Sequence, residues 1–243
     1  GKGSLKSVLV GVDQYDDERL ADLNYAKSDV GRVFDALSSE AVGADNIEVF
    51  TKSKAKPESI LAAIQALVSG LEAGEQGVLF FAGHGLQDDE GRFYFATPET
   101  NVDDLEKTAL SWTDVAKTLS KSKARITVLL DACHSGAADG RAFATNDDAV
   151  AGLSSIPANV TILSASKGRE LSLESSSLGG GVFTAALTNV LVKNRSEHDL
   201  NGNEILERSE VAAGLKKEIR RMPDIKQSPW MTNTRLVGDY ALF

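Results

Sequence analysis

The chain has a single cysteine among 243 residues, so no intrachain disulfide is available. A fold stapled for an oxidising compartment is thereby excluded, and a reducing cytoplasm is the expected setting. Basic residues are not in excess: 26 Lys and Arg stand against 35 Asp and Glu, a formal net charge of −9. That balance argues against a nucleic-acid partner and allows attraction of basic peptides. No run approaches the roughly 20 apolar residues of a membrane span, and the first residues lack the apolar core of a secretory signal. No internal repeat is present. Hydrophobic residues at 42% and charged residues at 25% are ordinary for a globular protein. A chain of this length buries about 70 to 75% of its unfolded surface, enough for one large core.

Short runs rich in Val, Ile, Leu and Phe predict strands at Ser7–Val12, Ile47–Thr51, Gly77–Ala82, Ile126–Asp131 and Val160–Ser164. Between them, Tyr25–Leu37 carries a helical stripe of Ala26, Val30, Val33, Phe34 and Leu37. Pro57 opens a second helix with Ile60, Leu61, Ile64, Leu67 and Val68 on one face, and Trp112–Leu119 forms a third. Arg92–Thr97 alternates like part of a hairpin after the Asp88–Gly91 turn. The βαβα rhythm predicts an α/β fold, a three-layer α/β/α sandwich with a mostly parallel central sheet. Ala137–Pro157 and Lys167–Gly181 are irregular, and each follows a strand end, where loops build or cover sites.

Two of these strands end in reactive side chains. Ile126–Asp131 leads into Ala132-Cys133-His134-Ser135-Gly136, and Gly77–Ala82 leads into Gly83-His84-Gly85. Open α/β sheets place their ligand sites just past the carboxyl ends of strands. An unpaired Cys is more often a small buried hydrophobe, and a lone His a satisfied polar group. The polar company of Cys133 and the glycines flanking His84 favour chemistry instead.

Gly83-His84-Gly85, followed by Asp131-Ala132-Cys133-His134-Ser135-Gly136 with Cys133 49 residues after His84, resembles the caspase-like cysteine peptidases. The nearest likeness is to the metacaspase and bacterial caspase-like (orthocaspase) branch. Ser7–Tyr15 and Leu23–Asp29 look like the family's first strand and the start of its first helix. Thr161–Ser166 and Gly181–Leu187 look like a strand and helix of its small-subunit half. The resemblance implies one peptidase domain, with residues 1–136 similar to the large subunit, 158–243 similar to the small subunit, and a loop between.

The chemistry is nucleophilic. A thiolate attacks a peptide carbonyl, expels the amine and leaves an acyl-enzyme that water hydrolyses. Cys133 is the candidate nucleophile and His84 the candidate acid and base, with His134 competing for that role by adjacency. The resemblance implies that the backbone amides of Gly85 and Cys133 form the oxyanion hole. It also implies an acidic pocket built from Asp29 and Asp131, and thus substrates with Arg or Lys before the cleaved bond. Ala26 and Ala82 stand where metacaspases often carry Cys and Ser, which makes the pocket wall less polar. In the structural alternative, Asp131 is a capping residue and Asp29 a helix-surface charge.

Arg141, Lys167 and Arg169, in the irregular segments, are candidate self-cleavage points. The chemistry requires no cofactor. Asp103, Asp104 and Asp139 form a loose match to the calcium site of metacaspases. Asp199–Glu210 resembles an EF-hand loop at positions 1, 3, 5 and 12 but carries Glu204 where glycine is required, so it reads as an Asx-rich turn. The resemblance also implies a sensor or regulatory partner and a role as the effector of a bacterial cell-death, stress or antiphage system. A catalytically silent binding or signalling module is the alternative.

Overall fold

The computed structural model describes residues 4–132, 159–164, 174–175, 178–222, 230–232 and 240–243. In chain order, β1 (Leu5–Gly11), α1 (Ala26–Ser38), β2 (Asn46–Thr51), α2 (Pro57–Ser69) and β3 (Gln76–Gly83) make two crossovers of one sheet, the first from β1 to its neighbour β2 and the second back past β1 to β3. There follow β4 (Gly85–Gln87), β5 (Phe93–Phe95), α3 (Leu105–Thr108), β6 (Leu110–Ser111), α4 (Trp112–Leu119) and β7 (Arg125–Ala132). The second half contains β8 (Val160–Ser164), β9 (Glu174–Ser175), β10 (Gly180–Gly181), α5 (Val182–Thr188) and a π-helical turn at Asn189–Lys193. It closes with α6 (Arg195–His198), α7 (Arg208–Arg221) and β11 (Trp230–Thr232).

The main sheet runs β11-β8-β7-β3-β1-β2, with β11 antiparallel to β8 and the other neighbours parallel. Its five parallel strands are the five expected from the apolar runs. Alternate side chains sort to two faces. Val8, Val10, Leu79, Phe81, Ile126, Val128 and Leu130 pack with α2 and α4. Leu9, Val78, Phe80 and Leu129 pack with α1, α5 and α7. This gives the expected three layers. Phe34, expected on the buried stripe of α1, is 39% exposed; Ala36 is buried instead, because the stripe follows Val30, Val33 and Leu37.

β4, β5 and β6 form a small second sheet. Phe81 of β3 stacks on Phe95 of β5 at 4.4 Å, and Trp112 meets Phe95 edge-on at 5.5 Å. These contacts dock the small sheet on the main one. Gly83-His84-Gly85 is the junction where the chain leaves β3 and enters β4.

The Asp199–Glu210 segment is an Asx-rich turn, as expected. Asp199 accepts from the amides of Gly202, Asn203 and Glu204, and Glu204 takes a positive φ of 66°. Glu210 then accepts from the amide of Glu207 at 3.0 Å and caps α7.

Candidate active site

His84 is fully buried at this junction. Its Nε2 lies 2.7 Å from the carbonyl oxygen of Ala21. A carbonyl only accepts, so Nε2 carries the proton and Nδ1 is the basic nitrogen. The His84 amide donates to the Tyr15 hydroxyl at 3.0 Å, and the Tyr15 ring lies 4.8 Å from the imidazole, tilted by 35°. His84 O accepts from the Ala96 amide at 2.9 Å. Gly85 faces Phe95 as the next pair of that antiparallel ladder, a non-hydrogen-bonded one, so its N–H is not spent on β5.

The loop that supplies Tyr15 and Ala21 joins β1 to α1 and is itself clamped. Arg19 binds Asp17 at 2.8 Å and Asp103 at 3.0 Å, while Asp17 accepts from the Val102 amide. The guanidinium of Arg19 holds the Asp17 carboxyl well below the usual carboxylate range. Leu20 packs under the loop against Leu86, Tyr94 and Leu105.

The acidic pair converges from two elements. Asp29 lies in the first turn of α1 and Asp131 near the end of β7, and they are 3% and 1% exposed. Asp131 follows Leu129 on the same strand face and accepts from the Thr184 hydroxyl at 3.1 Å. Asp29 accepts from the Gly181 amide. A Cβ on Gly181 would stand 2.5 Å from Asp131 Oδ2 and 3.0 Å from Asp29 Oδ2, so the two carboxylates crowd one point. Arg32, one turn along α1, donates to the carbonyl of Leu178 at 2.5 Å. The end of the second irregular segment thus closes on the acidic pair.

Sequence reasoning missed Tyr15, Ala21, Gly181 and Thr184. The Gly179-Gly180-Gly181 run was a usable signal, since glycine permits such close approach. Cys133, His134, Asp139, Arg141, Lys167 and Arg169 lie outside the described residues. Asp103 is engaged by Arg19 and Asp104 by Lys107 at 3.2 Å, so neither presents a carboxylate free of a cationic partner. Among the described residues, the donors close enough together for one metal ion are those of Glu197, His198 and Glu218. Arg221 and Lys217 already neutralise that group.

The parallel sheet with helices on both faces is the architecture of a caspase-type domain. The family model of the caspase domain (peptidase C14) matches residues 5–240, and the chain belongs to that family. Its fold is similar to the crystal structure of protein GSU0716 from Geobacter sulfurreducens, with a TM-score of 0.65 and 19% identity over 94% of this chain and 92% of that one. No curated protein matches the chain. No helix of the described residues is long and apolar enough to cross a membrane.

Proposed function

We propose that this member of a cysteine peptidase family is an endopeptidase that cleaves after Arg or Lys, with Cys133 as nucleophile and His84 as acid and base. The observation that carries this reading is the β3–β7 register. Gly83 lies opposite Ala132 on adjacent parallel strands, and the next residues in the chain are His84 and Cys133.

His84 Nδ1 takes the thiol proton, since Nε2 is committed to Ala21. The thiolate attacks the carbonyl carbon, and the Gly85 and Cys133 amides receive the oxyanion. The imidazolium then protonates the departing amine, leaving the acyl-enzyme. A water molecule, deprotonated by His84, hydrolyses it and restores the thiol. Asp29 and Asp131, buried side by side, supply the negative charge that a guanidinium or ammonium would neutralise. Arg141, Lys167 and Arg169 are then candidate points of self-cleavage, and an effector role under a sensor partner is consistent with such a specificity.

The test is hydrolysis of fluorogenic peptides ending in Arg, Lys or Asp, with and without calcium, by the wild type and Cys133→Ala. Arg and Lys peptides are expected to exceed Asp peptides by on the order of a thousandfold, because like charge at a buried pocket costs several kcal/mol. Loss of all turnover in the variant completes the expected result. A preference for Asp, or activity that survives in Cys133→Ala, overturns it.

A further inference from the structure

We infer that Tyr15 is a positioning residue for His84, fixing the imidazole orientation and the nitrogen that carries its proton; this deepens the reading of His84 as acid and base. Three hydrogen bonds close a ring through the chain. The imidazole Nε2–H of His84 donates to Ala21 O, the His84 amide donates to the Tyr15 hydroxyl, and the Tyr15 amide donates to Asp22 Oδ1 at 3.0 Å. Ala21 and Asp22 are neighbours, so Tyr15 holds both the backbone of His84 and the segment bearing the acceptor of its side chain.

The hydroxyl is used in both senses. It accepts from His84 and donates to Val12 O at 2.8 Å, which fixes its own orientation. Gly83 accommodates it: its φ is +152°, and a Cβ there would stand 3.0 Å from Tyr15 Oη and 3.2 Å from Val12 O. The Tyr15 ring covers one side of the imidazole at 4.8 Å. A phenylalanine would fill the same space and keep that ring contact, but could neither accept from His84 nor donate to Val12. The hydroxyl therefore acts on the placement of His84 separately from the packing of the ring.

Tyr15→Phe tests this by kinetics and by nitrogen NMR of the imidazoles. The chain has three histidines, and His84→Ala identifies the signals of His84. The wild type is expected to show one Nε2–H tautomer, and Tyr15→Phe an average of two. With an Arg peptide, kcat is expected to fall about tenfold while KM stays within about twofold, as when a transition-state contact is weakened. Asp22→Ala, which opens the ring at another bond, is expected to act in the same direction and serves should Tyr15→Phe not fold. A single unchanged tautomer in both variants overturns the inference, whatever kcat does. The tautomer readout needs no turnover, so it decides the positioning role by itself. Full turnover by His84→Ala would instead refute the catalytic reading of His84.

Discussion

Both carboxylate oxygens of Asp29 share one donor, the backbone N–H of Gly181, at 3.1 Å each. The contact ties the first turn of α1 to the residue that precedes α5. It also holds a carboxylate beside Asp131 in a setting where water is excluded. An acid that anchors a backbone amide and an acid that receives a substrate cation are compatible roles, since a carboxylate offers about four lone-pair directions.

Gly181→Ala is expected to injure both roles. Its methyl group would overlap Asp131 Oδ2 at 2.5 Å and crowd Asp29 at 3.0 Å. Overpacking of this kind costs about 1–3 kcal/mol, read as a lower Tm, and KM for Arg peptides is expected to rise. An alanine variant with unchanged Tm would show that the two carboxylates have room to part.

Substitutions at Asp29 separate anchoring from charge. Asp29→Asn keeps an oxygen for the Gly181 amide, so stability should stay near that of the wild type while KM for Arg and Lys peptides rises at least tenfold. Asp29→Ala removes the acceptor as well and should cost about 1–3 kcal/mol in urea unfolding. Equal KM values for the wild type and the Asn variant would argue against charge recognition there.

Glu218 predicts a feature of acid unfolding. Burial would raise its pKa, but hydrogen bonds from Asn194, His198 and Asn189 outweigh that and hold it below its ordinary value of 4.5. The folded state binds this proton less tightly than the unfolded chain. Its stabilisation is therefore present above pH 4.5 and is lost as pH falls through the folded value. Glu218→Gln should flatten the stability curve below pH 4.5, measured by urea unfolding across pH. A slope in that range identical to that of the wild type would remove Glu218 from the account.

Arg19→Ala breaks the clamp on the β1–α1 loop. The Arg19 and Asp103 side chains are 36% and 57% exposed, so the loss of global stability should be small and shrink further with added salt. A large, salt-independent fall in Tm would indicate a larger role for the pair.

The parallel strands were legible because buried strands write themselves as continuous apolar runs. Ile126–Asp131 was expected and Arg125–Ala132 is found, and Trp112–Leu119 has the same bounds in both. The place of His84 past the end of β3 was legible from the apolar run before it. Tyr15 was not, because it works through the backbone amide of His84 and the carbonyl of Val12, groups that every such residue offers. Phe34 lies beside the stripe of α1, and in sequence such a hydrophobic residue looks the same as one within it. β11 was missed because three residues are too few to show a period.

The bond between Asp29 and Gly181 spans 152 positions, which matters for a chain made from its amino end. A nascent chain that has emerged through Cys133 already contains both residues of the proposed dyad, yet the Gly181 amide and the Thr184 hydroxyl do not yet exist to set Asp29 and Asp131. Assembly of the acidic pair thus waits until the chain has been made through Thr184. Order of synthesis alone would leave the two carboxylates unset for a time after the proposed dyad has been made.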